Sequence, residues 1–341
     1  MRSAELTAPH TFRLAEMAID DPGPGEVQVR VEAVGVCGSD LHAFGEGAVG
    51  GTPNVYPMVL GHEPAGRIVK TGAGVTGLVA GDRGALEPAL YCYHCEWCLS
   101  GHHNVCANIR FLSNPTFPGF FRELVNLPVS NFQPIPDAMS YGEAALAEPL
   151  AIAMHSLGLA SIRPGETVAV IGAGPIGLMT IAALRAAGTG RVWAIEPLEH
   201  RRELARGMGA DVVLEPDEAV KEILKATGQR GVDCAIDCAA GEDTTGQAVF
   251  LARNAGRVAI TGIHSTPLVT MDGSTMRRKE LTIFNVRRSN HETHEALELL
   301  KAHPDWFAPV LTHTRRLEKI DEAFAIAGQY LDGVGKMMVR P

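Results

Sequence analysis

The sequence predicts an α/β protein, a doubly wound parallel sheet joined to a mostly β region, on three observations. Over residues 167–286 short apolar runs alternate with helical stretches, the pattern of a parallel sheet with crossover helices. A G-x-G-x-x-G turn, made by Gly172, Gly174 and Gly177, joins the first of those strands to the first helix. Before residue 140 the texture differs: apolar and polar residues alternate and are cut by glycine and proline turns.

The elements follow in order. "PGPG" at 22–25 is a turn, and "EVQVRVEAVGVCG" from Glu26 alternates as a half-buried strand does. "GRIVKTG" and "GDRGALEP" are further strand-and-turn units. "SYGEAALAEPLAIAMHSLGLA" is helical, with Ser140 as N-cap and Glu143 three residues later. "TVAVIGAG" is a strand entering a turn, and "PIGLMTIAALRAAG" a helix ended by Gly188. "RVWAIE", "DVVL" and "VDCAIDCAA" are strands, separated by the helices "HRRELARGMG" and "AVKEILKATG". "TTGQAVFLARNAG" is expected as a helix, followed by the strands "RVAITGI" and "LTIFNV". Helices near 291–301 and 320–330 and a closing strand "GKMMVR" end the chain. The expected division is a domain of residues 1–150 that resumes at 290–341, with a second domain of residues 151–289 between.

Hydrophobic residues make up 46% and charged residues 20%, the mix of a globular protein. The net charge of −9 argues against nucleic acid or an anionic membrane as partner. Residues 167–184 carry no charge and could imitate a membrane span. They contain Gly172, Gly174, Pro175 and Gly177, so a strand, a tight turn and a buried helix fit better. The stretch "MRSAELTAPHTFRLAE" has scattered charges and no apolar run of the signal-peptide kind, so the expectation is a cytoplasmic protein.

Four of the seven cysteines fall in "CYHCEWCLSGHHNVC" as C-x2-C-x2-C-x7-C: Cys92, Cys95, Cys98 and Cys106. Disulfides and metal compete for them. In a reducing compartment such a cluster suits tetrahedral zinc, closed and structural. His94, His102 and His103 share the stretch and are expected in solvent. A closed site staples a loop and does no chemistry, so a reactive centre must lie elsewhere. Cys234 and Cys238, four apart on one strand, are roughly 13 Å from each other and are expected as buried small hydrophobes. "HETHE" at 291–295 lacks the spacing of a zinc-protease helix.

In the Rossmann-type turn "GAGPIG", Gly172 permits the bend, Gly174 lets backbone approach a pyrophosphate, and Gly177 lets helix pack on strand. Pro175 and Ile176 open the helix whose free N–H groups favour the anion. Glu196 ends the second strand, where a carboxylate binds both ribose hydroxyls of NAD and repels the 2′-phosphate of NADP. Arg201 and Arg202 follow closely and could hold a phosphate instead.

"VCGSDLH" supplies Cys37, Ser39, Asp40 and His42; "GHEPAGRIV" supplies His62 and Glu63; "EPLA" supplies Glu148. Each alone is bland. Residues 61–75, "GHEPAGRIVKTGAGV", have the pattern G-H-E-x2-G-x5-G-x2-V. With the four-cysteine stretch and the glycine turn in the same order, the chain resembles the zinc-dependent medium-chain alcohol and polyol dehydrogenases from end to end. The resemblance implies a GroES-like catalytic domain and a Rossmann NAD domain. It implies a reactive zinc on Cys37 and His62, with either Glu63 or Glu148 completing the protein ligands. Asp40 would fix the His62 tautomer, and Ser39 and His42 would carry the substrate proton away. Thr261, Gly262, Ile263, Val286 and Arg287 match positions beside the cofactor, and Arg287 matches an arginine that faces substrate in polyol dehydrogenases.

The implied function is hydride transfer from a secondary hydroxyl of a polyol or sugar acid to NAD, by an enzyme with one catalytic and one structural zinc. The partner is then a small molecule, and the assembly a homodimer or homotetramer. Threonine 3-dehydrogenase is the nearest enzymatic alternative, though Ser39 and "EPLA" fit it less well. A non-catalytic zinc- and nucleotide-binding protein is the alternative of another class, and the paired Ser39 and His42 argue against it. One departure concerns Ala43, which stands where sorbitol dehydrogenases carry an aromatic pocket residue, with Phe44 next to it.

Overall fold

In the computed structural model, which describes residues 1–341, the alternating run from Glu26 becomes the strand Glu26–Gly35. Val27, Val29 and Val31 all face inward and are buried. This strand is the middle of a seven-stranded sheet. On one side it pairs with Glu63–Thr71, then Arg83–Leu86 and Phe132–Pro134; on the other with Met337–Arg340 and His313–Arg316. Leu124–Pro128 also pairs with it. The sheet belongs to a unit made of Met1–Glu148, Thr293–Pro304 and Leu311–Pro341.

The core of this unit is aromatic at one end. The Phe324 ring centre lies 4.8 Å from Phe12, 5.0 Å from Phe44 and 5.7 Å from Phe121. Burying rings of this size contributes up to about 3 kcal/mol each. Phe44 belongs to the helix Gly38–Glu46, so the cluster anchors that helix, together with fully buried Ala43. The backbone N–H of Cys37 donates to Asp40 Oδ2 at 3.1 Å and starts the helix. Ser39, Asp40 and His42 are therefore carried on a short element tied to the core.

The second unit, Pro149–Glu292 with Asp305–Val310, holds six strands, all parallel. Their order across the sheet is Val212–Leu214, Val192–Ile195, Val168–Ile171, Val232–Asp237, Ala252–Ile260, Thr282–Asn285. In order along the chain that is third, second, first, fourth, fifth, sixth, the Rossmann arrangement. The order reverses between Val168–Ile171 and Val232–Asp237, and ligands bind at such a switch point beyond the carboxyl ends of the strands. No helix is long and apolar enough to cross a membrane; residues 167–184 fall in the strand Val168–Ile171, a turn and the helix Pro175–Ala186.

Three features differ from the sequence reading. The helical stretch after Ser140 is two helices, Tyr141–Ala145 and Ala147–Leu159. Pro149 has no N–H and its ring would clash with the carbonyl four residues back, which breaks the run at Leu146. The Ser140 cap is made as read, with Ser140 Oγ accepting from the Glu143 N–H at 3.2 Å and Glu143 Oε2 accepting from the Ser140 N–H at 2.7 Å. The helix expected through Gly256 stops at Leu251, and "ARNAG" opens the strand Ala252–Ile260. Parallel pairing of Ala252 with Val232 overrides the helical preference of the alanines. Finally, the units divide at 148 and 292 rather than at 150 and 289, and residues 305–310 lie with the second unit. There the Arg185 guanidinium stands 3.9 Å from the Trp306 ring centre, a cation–π contact no local pattern reveals.

One ion cluster fastens the start of the parallel sheet. Asp233 accepts hydrogen bonds from the Thr167 N–H (2.9 Å), Thr167 Oγ1 (2.7 Å), Arg230 (2.6 Å) and Arg253 (2.7 Å). Burial alone would raise its pKa, but Arg230, Thr167 and Arg253 outweigh that and hold it well below the usual carboxylate range. The stabilisation is therefore present above the unfolded value near 4 and lost as pH falls below it. Asp233→Asn should cost about 2 kcal/mol at neutral pH. The gap between the thermal melts of the two proteins should narrow steadily as pH falls below about 4; a gap that stays constant with pH would refute the assignment.

Candidate active site

Two clusters of potential metal ligands lie in the first unit. In one, Cys37, His62 and Glu63 each offer an atom within 4.8 Å of the others. Cys37 caps the helix Gly38–Glu46, and Glu63 begins the strand Glu63–Thr71. Asp40 holds the group together. Its Oδ1 accepts from the Gly61 N–H at 3.2 Å and from Ser113 Oγ at 3.4 Å, and stands 3.4 Å from His62 Nδ1. That contact places the proton on Nδ1 and frees Nε2 as a ligand. The Phe111 ring lies 5.6 Å from the imidazole and shields one side.

The charges of this cluster fit a divalent cation. Burial disfavours a charged imidazole, yet Asp40 and Cys37 hold the pKa of His62 well above its usual value. Burial, reinforced by Glu63 and Asp40, pushes Glu148 up to about 7 against the opposing pull of His62 and Lys336. Glu148 Oε2 is buried with no hydrogen-bond partner. Protons thus gather where positive charge is lacking. A thiolate, an imidazole and a carboxylate are the donor types of a catalytic zinc that keeps one position open. Of the two carboxylates the sequence left open, Glu63 joins Cys37 and His62, while Glu148 lies outside that triad.

The other cluster is Cys92, Cys95, Cys98 and Cys106. The sulfurs of Cys92 and Cys106 are 3.4 Å apart, and those of Cys92 and Cys98, and of Cys95 and Cys106, 3.9 Å. Four thiolates on one zinc at about 2.3 Å are spaced about 3.8 Å from each other; a disulfide needs about 2.05 Å. All seven cysteines are free thiols. The Cys95 N–H and Asn108 Nδ2 donate to Cys92 Sγ at 3.4 and 3.5 Å, and the Cys92 N–H donates to Cys106 Sγ at 3.4 Å. The donors fit zinc. His94 turns its Nδ1 to the Cys92 carbonyl and His102 to Ser100 Oγ, away from the sulfurs. Cys234 and Cys238 are buried in the other unit, and burial pushes both thiols up to about 12.

In the second unit the glycine turn has the geometry a phosphate requires. Gly172 has φ +89°, and a Cβ there would strike Ala239 at 2.8 Å. A Cβ on Gly177 would lie 1.9 Å from the Gly172 carbonyl. Gly174 caps the helix that Pro175 and Ile176 open. Arg201 stands beside Gly174, its Nη1 3.6 Å from where a Cβ would be. Glu196 is buried; its Oε2 accepts from the Ala173 N–H at 2.7 Å and its Oε1 from the Leu198 N–H at 3.0 Å. Thr261, Gly262 and Ile263 follow the strand Ala252–Ile260, and Val286 and Arg287 follow Thr282–Asn285. Thr261 Oγ1 is hydrogen-bonded to Ser156 Oγ at 2.8 Å, while Ile263 and Arg287 are exposed. All of these lie beyond the carboxyl ends of parallel strands.

The chain matches the alcohol dehydrogenase GroES-like domain over residues 23–137 and the zinc-binding dehydrogenase family over residues 175–302. It is 33% identical to sorbitol dehydrogenase of Bacillus subtilis (strain 168) across 100% of this chain and 97% of that one. The chain belongs to the zinc-dependent medium-chain alcohol and polyol dehydrogenases. This dehydrogenase is also 32% identical to L-idonate 5-dehydrogenase of Vitis vinifera, over 94% of this chain and 90% of the relative. A solved zinc-binding dehydrogenase of Sinorhizobium meliloti 1021, bound to NADP, superposes with a TM-score of 0.90 at 29% identity, covering 100% and 99% of the two chains.

The dehydrogenase also has site residues that the sequence reading missed. His42 Nδ1 lies 2.6 Å from Glu46 Oε1, a partner that the i,i+4 spacing in "HAFGE" could have signalled. Ser113 and Phe111, which touch Asp40 and His62, carry no local signal. Ala43 is fully buried and Phe44 is engaged in the aromatic core.

Proposed function

We propose that this enzyme takes a hydride from a secondary hydroxyl of a polyol or sugar acid and gives it to NAD, with a reactive zinc on Cys37, His62 and Glu63. The observation that carries the reading is the close triad of Cys37, His62 and Glu63 with a hydroxyl at its edge: Ser39 Oγ lies 3.4 Å from His62 Nε2. Zinc bound there supplies a Lewis acid that makes a substrate hydroxyl more acidic, and the dinucleotide supplies the hydride acceptor. The chain's own residues handle the proton. Ser39 receives it at Oγ. His42 lies three residues on, on the same side of the helix, and takes it onward. Glu46 accepts a hydrogen bond from His42 Nδ1, so the neutral ring offers Nε2 as the base.

Two observations support NAD. Glu196 directly follows the strand Val192–Ile195, an end at which a carboxylate favours ribose hydroxyls over a 2′-phosphate. Arg202, which could have offset that charge, is buried and engaged by Glu199, Glu215 and the carbonyls of Glu196 and Pro197. The polyol or sugar-acid class is supported by the sorbitol and L-idonate relatives and by Arg287. A guanidinium offers five donors and keeps its charge, which suits a chain of hydroxyls or a carboxylate.

The test is reduced-nicotinamide absorbance with sorbitol, xylitol, galactitol, idonate, threonine and simple alcohols, each with NAD and NADP. Polyols or sugar acids should exceed ethanol, propanol and benzyl alcohol by at least about tenfold in kcat/KM, roughly 1.4 kcal/mol. Arg287→Ala should remove most of that margin and leave simple alcohols nearly unchanged. Equal losses on both classes, or a preference for threonine, would overturn the substrate reading. For the proton path, His42→Ala should slow oxidation most at neutral pH and least at alkaline pH, where solvent base replaces the ring. An unchanged pH–rate profile would remove His42 from the path.

A further inference from the structure

Lys336 is 1% exposed, and lysine is almost never so deeply buried without a partner. Its ammonium forms an ion pair with Glu63 Oε2, and the Glu63 side chain is equally buried. Strand order creates the pair. Gly35 pairs with Glu63 on one side and with Met338 on the other. The side chains of Glu63 and Lys336 meet over Gly35, where a Cβ would lie 2.0 Å from Glu63 Oε2 and 2.8 Å from Lys336 Cε. No other residue type leaves that space. The same ammonium is felt by Cys37 and Glu148.

A carboxylate can grip a metal with one oxygen or with both. A catalytic zinc needs three protein ligands and one exchangeable position, and a two-oxygen grip by Glu63 would fill that position. We propose that Lys336 is a positioning residue: by holding Oε2 of Glu63 it confines that carboxylate to one-oxygen ligation and keeps a place on the zinc for substrate. The proposal rests on the reading of Cys37, His62 and Glu63 as the reactive zinc site. Partners one shell out commonly change metal affinity severalfold or more. Here the sign is unusual, because removing the partner strengthens the metal's hold.

The experiment compares zinc-loaded wild type, Lys336→Met, Lys336→Arg, Glu63→Gln and the double variant Glu63→Gln/Lys336→Met. Release of the more labile zinc to a chromogenic chelator is followed, with visible spectra of the cobalt-substituted proteins. Lys336→Met should release the metal about tenfold more slowly, the scale of such outer-shell effects, and turn over more slowly. Its cobalt d–d bands should weaken, as they do when coordination rises from four to five. Lys336→Arg should restore wild-type release. In the Glu63→Gln background, Lys336→Met should change release by less than about twofold, because no second oxygen is left to restrain. Should Lys336→Met fail to fold, Lys336→Gln and the double variant carry the comparison. Release as fast as wild type or faster from a folded Lys336 variant, or unchanged cobalt bands, overturns the role of Lys336 alone. If Cys37→Ser leaves the zinc content of the enzyme unchanged, the metal reading falls and this inference with it.

Discussion

Cys37→Ser should lower kcat/KM by a factor of about a thousand or more, some 4 kcal/mol of transition-state stabilisation, while the secondary structure survives. The Cys37 sulfur is one of three donor atoms within 4.8 Å of each other. A serine hydroxyl remains protonated at neutral pH and is a poor zinc ligand. Elemental analysis should fall from two zincs per chain to one. The fold should survive because Cys37 is partly exposed and adds little to the core. The helix it caps is also anchored by Phe44 and Ala43. Asp40→Asn should act more mildly. It keeps the chain's shape but weakens the hold on His62 Nδ1, with a loss of about 10–100-fold in metal affinity. Two retained zincs in Cys37→Ser, with activity within tenfold of wild type, would refute the assignment of the reactive centre.

What was legible in the sequence was what depends on neighbours along the chain. The turn at Gly172 and Gly177 could be read because each glycine answers a contact within a few residues or a left-handed φ. The four-cysteine stretch could be read because its ligands lie within fifteen residues. That Glu63 stands within 4.8 Å of Cys37 and His62 could not, since no spacing along the chain brings the strand Glu63–Thr71 to Cys37. Lys336 was invisible for the same reason. In "GKMMVR" it is one lysine beside apolar residues, and only the pairing of Met338 with Gly35, some three hundred positions earlier, brings it to Glu63. "ARNAG" shows the opposite failure, where a helical composition yielded to the parallel pairing of Ala252 with Val232.

Cys92→Ser should leave the reactive centre intact and instead loosen the stretch 92–106. That stretch has almost no core of its own. Tyr93, Trp97, Leu99 and Val105 are exposed, and apart from Cys98 and Cys106 only Asn104 is buried. Its regular structure is one short helix, Glu96–Leu99, and one 3₁₀ turn, His103–Val105. So little apolar burial cannot offset the conformational entropy of ordering fifteen residues, at about 1–2 kcal/mol each. A closed four-thiolate zinc would supply the missing term, as it does in small metal-held domains. Cys92 is the most telling position, because its sulfur accepts from the Cys95 N–H and Asn108 and lies 3.4 Å from Cys106 Sγ. His94 and Asn108 already pull its thiol down to about 5, so it would present a thiolate to a metal at neutral pH. Serine there should release one zinc and lower the melting temperature by roughly 5–10 °C, about 2–3 kcal/mol for a unit of this size. Limited proteolysis should then cut first within 92–106, and kcat/KM measured well below the melt should change less than about threefold. A variant that keeps two zincs and melts within a degree of wild type would mean that these thiols hold no structural ion.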